Sequence, residues 1–116
     1  MIPDNPQLLA DLATGLWRLR QRFLDAATGE PREESRRAFR DVEALLQRLK
    51  EESIDIQDHT GDPYDPSLSL RVAAFQPTPG LAQDRVLETL KPTVYYRQER
   101  IQVGEVIVGI PERAST

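Results

Sequence analysis

The chain has 116 residues, 39% of them hydrophobic and 29% charged, with a formal net charge of −4. That length suits one domain, or a helical part with one small β domain, and the composition suits a soluble fold with a modest core. The chain has no Cys, which excludes a disulfide framework and a cysteine metal site, and its acidic balance argues against general nucleic-acid binding, which needs a surplus of phosphate-neutralising charge.

Met1-Ile2-Pro3-Asp4-Asn5 carries no basic segment ahead of an apolar run, so no signal peptide is expected. No apolar stretch approaches the roughly 18–20 residues of a membrane span. A cytoplasmic protein without membrane attachment is the default expectation.

The first helix is expected over residues 6–27. Asn5 is a good N-cap, and Pro6 fits the first helical position, where its missing donor costs nothing. Leu8, Leu12, Leu16, Leu19 and Phe23 recur at helical spacing, flanked by Leu9 and Trp17. Arg18, Arg20 and Arg22 crowd the second half, where positive charge suits the helix dipole. Their alternative reading is a surface for an acidic partner. Thr28-Gly29 should end the helix. A second helix is expected over residues 31–51, opened by Pro31, Glu33 and Glu34. Phe39, Val42, Leu46 and Leu49 form its apolar stripe, with Leu45 beside it.

The short connection predicts an antiparallel helical hairpin. One partner helix does not cover a stripe as wide as that of the first helix, and cores of this size are marginal alone. Two hairpins joined as a four-helix bundle would cover both stripes. Leu8, Leu12, Leu16, Leu19 and Phe23 are therefore the expected homodimer interface.

From Ser53 the period changes. Ile54 and Ile56 alternate with polar residues, as do Leu68, Leu70 and Val72. Gln76-Pro77-Thr78-Pro79-Gly80 reads as a loop. Residues 85–90, 93–97 and 100–108 read as strands, with a hairpin turn expected at Gln98-Glu99. Gly104 marks a bulge or a close backbone approach. Pro111 ends the last strand, and residues 112–116 form a polar tail. The fold class is thus α+β: a helical dimerisation hairpin over residues 1–52, then a small all-β domain over 53–116.

Gly61-Asp62-Pro63-Tyr64-Asp65-Pro66 is expected to join the helical part to the β part. Each Pro fixes φ and pushes its predecessor to an extended conformation, so the hexapeptide reads as a rigid corner. Gly61, Pro63, Tyr64, Asp65 and Pro66 carry a resemblance. A helical hairpin, this corner and a small β domain resemble the C-terminal part of GrpE, the nucleotide exchange factor of DnaK-type chaperones. In that family a Gly-x-Pro-Phe-Asp-Pro-like corner occupies this place, with Tyr64 standing for the aromatic.

Val86-Leu87-Glu88, Val94-Tyr95, Arg100-Ile101 and Val106-Ile107-Val108 match the order of the family's closing strands. The resemblance runs from Phe39 to Val108. The family's long N-terminal stalk is expected to be missing. Val103-Gly104-Glu105 replaces the family's second Arg and small residues, and Ser69-Leu70-Arg71 replaces its His and Ala after the corner.

The resemblance implies a non-enzymatic, homodimeric co-chaperone that binds a DnaK-type ATPase and promotes ADP release, without a cofactor of its own. Tyr95, Tyr96, Arg100 and Glu105 are the expected partner-binding residues, since exposed Tyr and Arg dominate interface hot spots. Adjacent Tyr95 and Tyr96 face opposite sides of a strand, so at least one of them is expected in the core. The alternative is an adaptor of the same fold without exchange activity.

Asp55, Asp58, His59, Asp62 and Asp65 place carboxylates near the chain's one His. Their spacing fits no standard metal loop, so they read as solvated turn acids. His59 as a general base would need a nucleophile and an orienting partner, and none is evident.

Overall fold

The computed structural model describes residues 5–112. The N-terminal residues before Asn5 and the tail beyond Glu112, both read above, lie outside them. The elements are α1 (Pro6–Phe23), a 3-10 turn (Glu33–Ser35), α2 (Arg36–Glu51), β1 (Ile54–Gln57), β2 (Arg71–Thr78), β3 (Arg85–Lys91), β4 (Thr93–Tyr96), β5 (Glu99–Gln102) and β6 (Glu105–Pro111). The fold is mixed α+β, with two three-stranded sheets ordered β1-β4-β5 and β2-β6-β3.

The chain divides into two compact units. One gathers residues up to Ile56 together with Val94–Ile101; the other gathers Gln57–Thr93 and the residues from Gln102 on. The chain therefore passes between units three times, after Ile56, Thr93 and Ile101. A division in sequence order at residue 52 passes once. The difference arises because β1 and the β4–β5 hairpin pack with the helices.

In the first unit α1 starts as the sequence predicts. The Asn5 side chain accepts the Leu8 N–H at 3.0 Å, and Pro6 occupies the first turn. The helix ends four residues earlier than expected. Leu24 turns extended and bridges Pro31, while the Asp25 carboxylate accepts the Ala27 N–H at 2.7 Å. That Asx turn offers the backbone an alternative to another helical turn. Gly29, at φ 72°, closes the loop by donating to the Asp25 carbonyl at 2.7 Å. The same loop holds Pro31 extended, so the second helix begins as a 3-10 turn and becomes α-helical only at Arg36.

Between the helices, Arg20 donates to Glu43 at 3.2 Å and lies over the Phe39 ring, 5.3 Å from its centroid. α1 buries its small residues, Ala10, Ala13 and Thr14. Ala13 joins Ile54 and Val94 in a core flanked by Leu9, Leu49, Ile56, Tyr96 and Ile101.

The second unit is built on β6, central in its sheet, parallel to β2 and antiparallel to β3. Its core is Val86, Val106 and Val108, ringed by Tyr64, Leu70, Val72 and Ile110. Burying each of these valines is worth about 1.5–3 kcal/mol. The register slips at three points, leaving Ala73, Leu87 and Leu90 as extra residues. Each slip shifts the two-residue alternation by one. As a result Val86 and Thr89 share the core face with Val106 and Val108, while Arg85, Glu88 and Lys91 share the other face with Gly109, Ile107 and Glu105.

The pairing also corrects the loop expected at residues 76–80. Gln76, Pro77 and Thr78 continue β2 and pair with Gly109, Ile110 and Pro111. Pro77 is tolerated because β2 is an edge strand and needs no donor on its outer side.

Candidate partner-binding site

The proline corner lies wholly within the second unit and is tied to β3. Gly61 donates to the Val86 carbonyl at 2.8 Å, Val86 donates back to Asp62 at 2.9 Å, and Tyr64 donates to Asp84 at 3.0 Å. Pro63 bridges Arg85, and the Arg85 guanidinium donates to the Gly61 carbonyl at 2.6 Å. Gly61 sits at φ 89°, where a side chain would be strained.

Asp65 accepts the Ser67 N–H at 2.8 Å, and its carbonyl accepts the Leu68 N–H at 2.9 Å. The Ser67 N–H, with the Ser67 hydroxyl, holds the Asp65 carboxyl below the usual aspartate range. Tyr64 packs edge-on to Phe75, ring centroids 6.2 Å apart, and reaches the valine core. These hydrogen bonds tie the corner to β3 beside whatever constraint Pro63 and Pro66 impose.

Tyr95, Tyr96 and Arg100 stand on the β4–β5 hairpin of the first unit. Its turn is Arg97-Gln98, one residue earlier than expected. Both residues are left-handed, at φ 50° and 70°. Two positive φ values in a two-residue turn match the right-handed twist of the strands, at a cost for residues with a Cβ. Tyr96 packs on the Ala13–Ile54–Val94 core, and the Arg97 guanidinium covers its ring, 5.2 Å from the centroid. Tyr95, its neighbour in the strand, is half-buried, and Arg100 is exposed.

Glu105 belongs to the other unit, half-buried at the start of β6. Its backbone partners are Arg71 on β2 and Lys91 on β3, so it stands in register between two cations. Three of the four expected contact residues thus share one hairpin, and the fourth sits in a separate unit.

The acidic residues around His59 do not form a cage. Among the described residues no group of three or more His, Asp or Glu side chains is placed to hold a metal ion. Asp58 accepts the Thr60 N–H at 2.9 Å and Asp65 that of Ser67, which are turn-capping roles.

His59 belongs to a hydroxyl network that sequence reasoning missed. Its Nε2 lies 2.7 Å from Thr93 Oγ1, which also accepts the Gly104 N–H at 3.1 Å. The His59 N–H donates to Thr89 Oγ1 at 3.1 Å, and Thr60 donates to the same oxygen at 3.0 Å. Thr89 and Thr93 are buried, and a buried hydroxyl needs such partners. The one signal in the sequence was Gly104. A Cβ there would stand 2.6 Å from Thr93 Oγ1 and 3.2 Å from the His59 ring, so this Gly is a close approach.

On α1, Leu8, Leu12 and Leu19 are 55%, 54% and 40% exposed within a single chain. Leu16 and Phe23 are half-buried. Trp17 is half-buried too and lines a groove with Leu46 and Ile54. No helix among the described residues is long and apolar enough to cross a membrane. Compared with family models and with curated proteins, the chain matches none.

Proposed function

We propose that the protein is a GrpE-like, non-enzymatic co-chaperone that acts as a homodimer on a DnaK-type ATPase. The observation that carries the partner surface is the β4–β5 hairpin, where Arg100 stands exposed on a strand whose turn is stapled by Arg97 on Tyr96. A hairpin held in one conformation loses little entropy on docking. The exposed leucines of α1 support the dimer, because a contiguous apolar stripe on a surface marks an interaction site. The corner, tied to β3, supports the likeness to the GrpE family.

Exchange follows from differential binding. A ligand shifts an equilibrium only by its preference for one state, so the protein would bind the open nucleotide cleft better than the closed one. By reciprocity, nucleotide weakens the complex. Glu105 tunes partner choice by repelling acids set opposite it. A second reading keeps the same surface and drops the exchange: an adaptor that tethers a DnaK-like partner.

Stopped-flow release of a fluorescent ADP from a DnaK-type ATPase separates the two. Acceleration by this protein, lost with Arg100→Ala, supports exchange. A complex that forms but leaves the release rate unchanged rejects exchange in favour of the adaptor. Absence of any complex rejects both.

A further inference from the structure

One seam of α1 is left uncovered by the chain itself. Leu8, Leu12 and Leu19 are exposed, and Gly15 stands among them, exposed as well. Their spacing is four, three and four residues, the alternation that keeps one seam of a helix turned toward a second helix. Gly15 has no packing role within the single chain, because a Cβ on it would meet nothing within 4 Å. A mid-helix glycine is less stable there than alanine. It does let a second helix come close, since the side chains at a contact set the distance between axes.

Three exposed charges border this seam: Asp11, Arg18 and Arg22. Asp11 and Arg18 lie seven residues apart on one flank. Leu9, Leu16 and Phe23, on the other flank, are half-buried within their own unit. Arg20 is held inside the chain by Glu43. Asp11 accepts the Gln7 amide at 2.8 Å through Oδ1, so Oδ2 remains for a further donor.

A second copy can lie along the seam in two orientations. In a parallel pair each residue meets its own counterpart. Gly15 against Gly15 then leaves a layer without side chains, whose neighbours lose contacts, and Arg22 is set against Arg22. An antiparallel pair about a two-fold axis level with Ala13 and Thr14 removes both faults. Leu8 meets Leu19 of the second copy, and Leu12 lies over the bare backbone of Gly15 of the second copy. Symmetry repeats both contacts in reverse. Asp11 then flanks Arg18 of the second copy, again twice, while Arg22 falls beyond the last layer, where its long side chain reaches water.

We infer that two copies of the chain pair through α1 as an antiparallel two-fold crossing, with Leu8 on Leu19, Leu12 over Gly15 and Asp11 beside Arg18. The leucines supply the buried area, and the two Asp11–Arg18 pairs fix orientation and register. The inference rests on the homodimer of the proposed function and adds the orientation, which that reading leaves open.

The chain has no Cys, so introduced thiols report the orientation without background. Leu8→Cys and Leu19→Cys variants are mixed, oxidised mildly and analysed by mass spectrometry. The expected product is the disulfide joining residue 8 of one copy to residue 19 of the other. Leu8→Cys alone should not cross-link. The two residues 8 would stand eleven residues apart along the axis, about 16 Å at a rise of roughly 1.5 Å, well past the roughly 7 Å that a disulfide spans between Cα atoms.

A second measurement keeps every leucine. Asp11→Arg should raise the dimer dissociation constant about tenfold in sedimentation equilibrium, and adding Arg18→Asp should restore it to within about twofold. Both positions are exposed, and circular dichroism checks that the variants fold. A disulfide between the two residues 8, or a second change that restores nothing, overturns the antiparallel pairing and leaves the homodimer standing. A monomeric wild type overturns both. Neither result depends on the ADP-release assay, which tests the exchange reading separately.

Discussion

Gly104→Ala should be among the most damaging single-methyl changes in the second unit. The new Cβ would stand 2.6 Å from Thr93 Oγ1 and 3.2 Å from two atoms of the His59 ring. Thr93 is 3% exposed and has no room to retreat. Moving it would disturb the Gly104 N–H bond at 3.1 Å and the His59 contact at 2.7 Å. Overpacking costs about 1–3 kcal/mol, and each weakened hydrogen bond about 1 kcal/mol. A loss of about 3–5 kcal/mol follows from the overpacking and the two bonds together.

Urea unfolding followed by circular dichroism measures that loss. Hydrogen exchange at the residue-104 amide shows whether its bond to Thr93 has opened. Thr93→Ala alone leaves the buried Gly104 N–H unsatisfied and costs about 1–3 kcal/mol. Adding Gly104→Ala to it introduces a methyl where the clashing oxygen is gone. The double variant should therefore be more stable than the sum of the singles by about 0.5–3 kcal/mol. A Gly104→Ala loss below about 0.5 kcal/mol, within the range of neutral surface changes, or strict additivity with Thr93→Ala, would refute the close-approach argument.

Three further outcomes are expected. Leu12→Asp should convert a dimer to a folded monomer in light scattering, because Leu12 is 54% exposed in the single chain and a charge there costs only an interface; a monomeric wild type would remove the dimer reading. Gln98→Gly should stabilise the hairpin by about 1 kcal/mol, since Gln98 sits at φ 70° where Gly meets no Cβ penalty, and a lower urea midpoint would contradict this. The corner should loosen in acid. Asp65 is held below its ordinary pKa by the Ser67 N–H and hydroxyl, so its contribution is complete above the ordinary aspartate range and lost as pH falls through the lowered value. Carboxyl and Ser67 amide shifts followed by NMR should titrate together, and an Asp65 midpoint at or above the ordinary range would count against the bond.

Local chemistry determined much of the outline. Asn5-Pro6 fixed the start of α1, because a cap and a proline act within one turn. The apolar period placed α2's buried Phe39 and Val42, and alternation placed β1 and β4. Gly104 was legible as a close approach, though not what it approached. A turn at the corner was legible in Pro63 and Pro66. The hydrogen bonds that tie it to β3 were not, since Asp84 and Val86 lie about twenty residues on and nothing local announces them.

Tertiary structure alone decided which face each β3 residue takes. Arg85, Glu88 and Lys91 are spaced by three, which in a regular strand scatters them over both faces. Register slips at Leu87 and Leu90 gather them on one. A bulge is a property of two strands meeting, not of either sequence. The same holds for the two units. The β4–β5 hairpin lies some forty residues from α2 in sequence. It joins the helices because Val94 fits beside Ala13 and Ile54, and periodicity within a segment does not encode which distant segment completes its core.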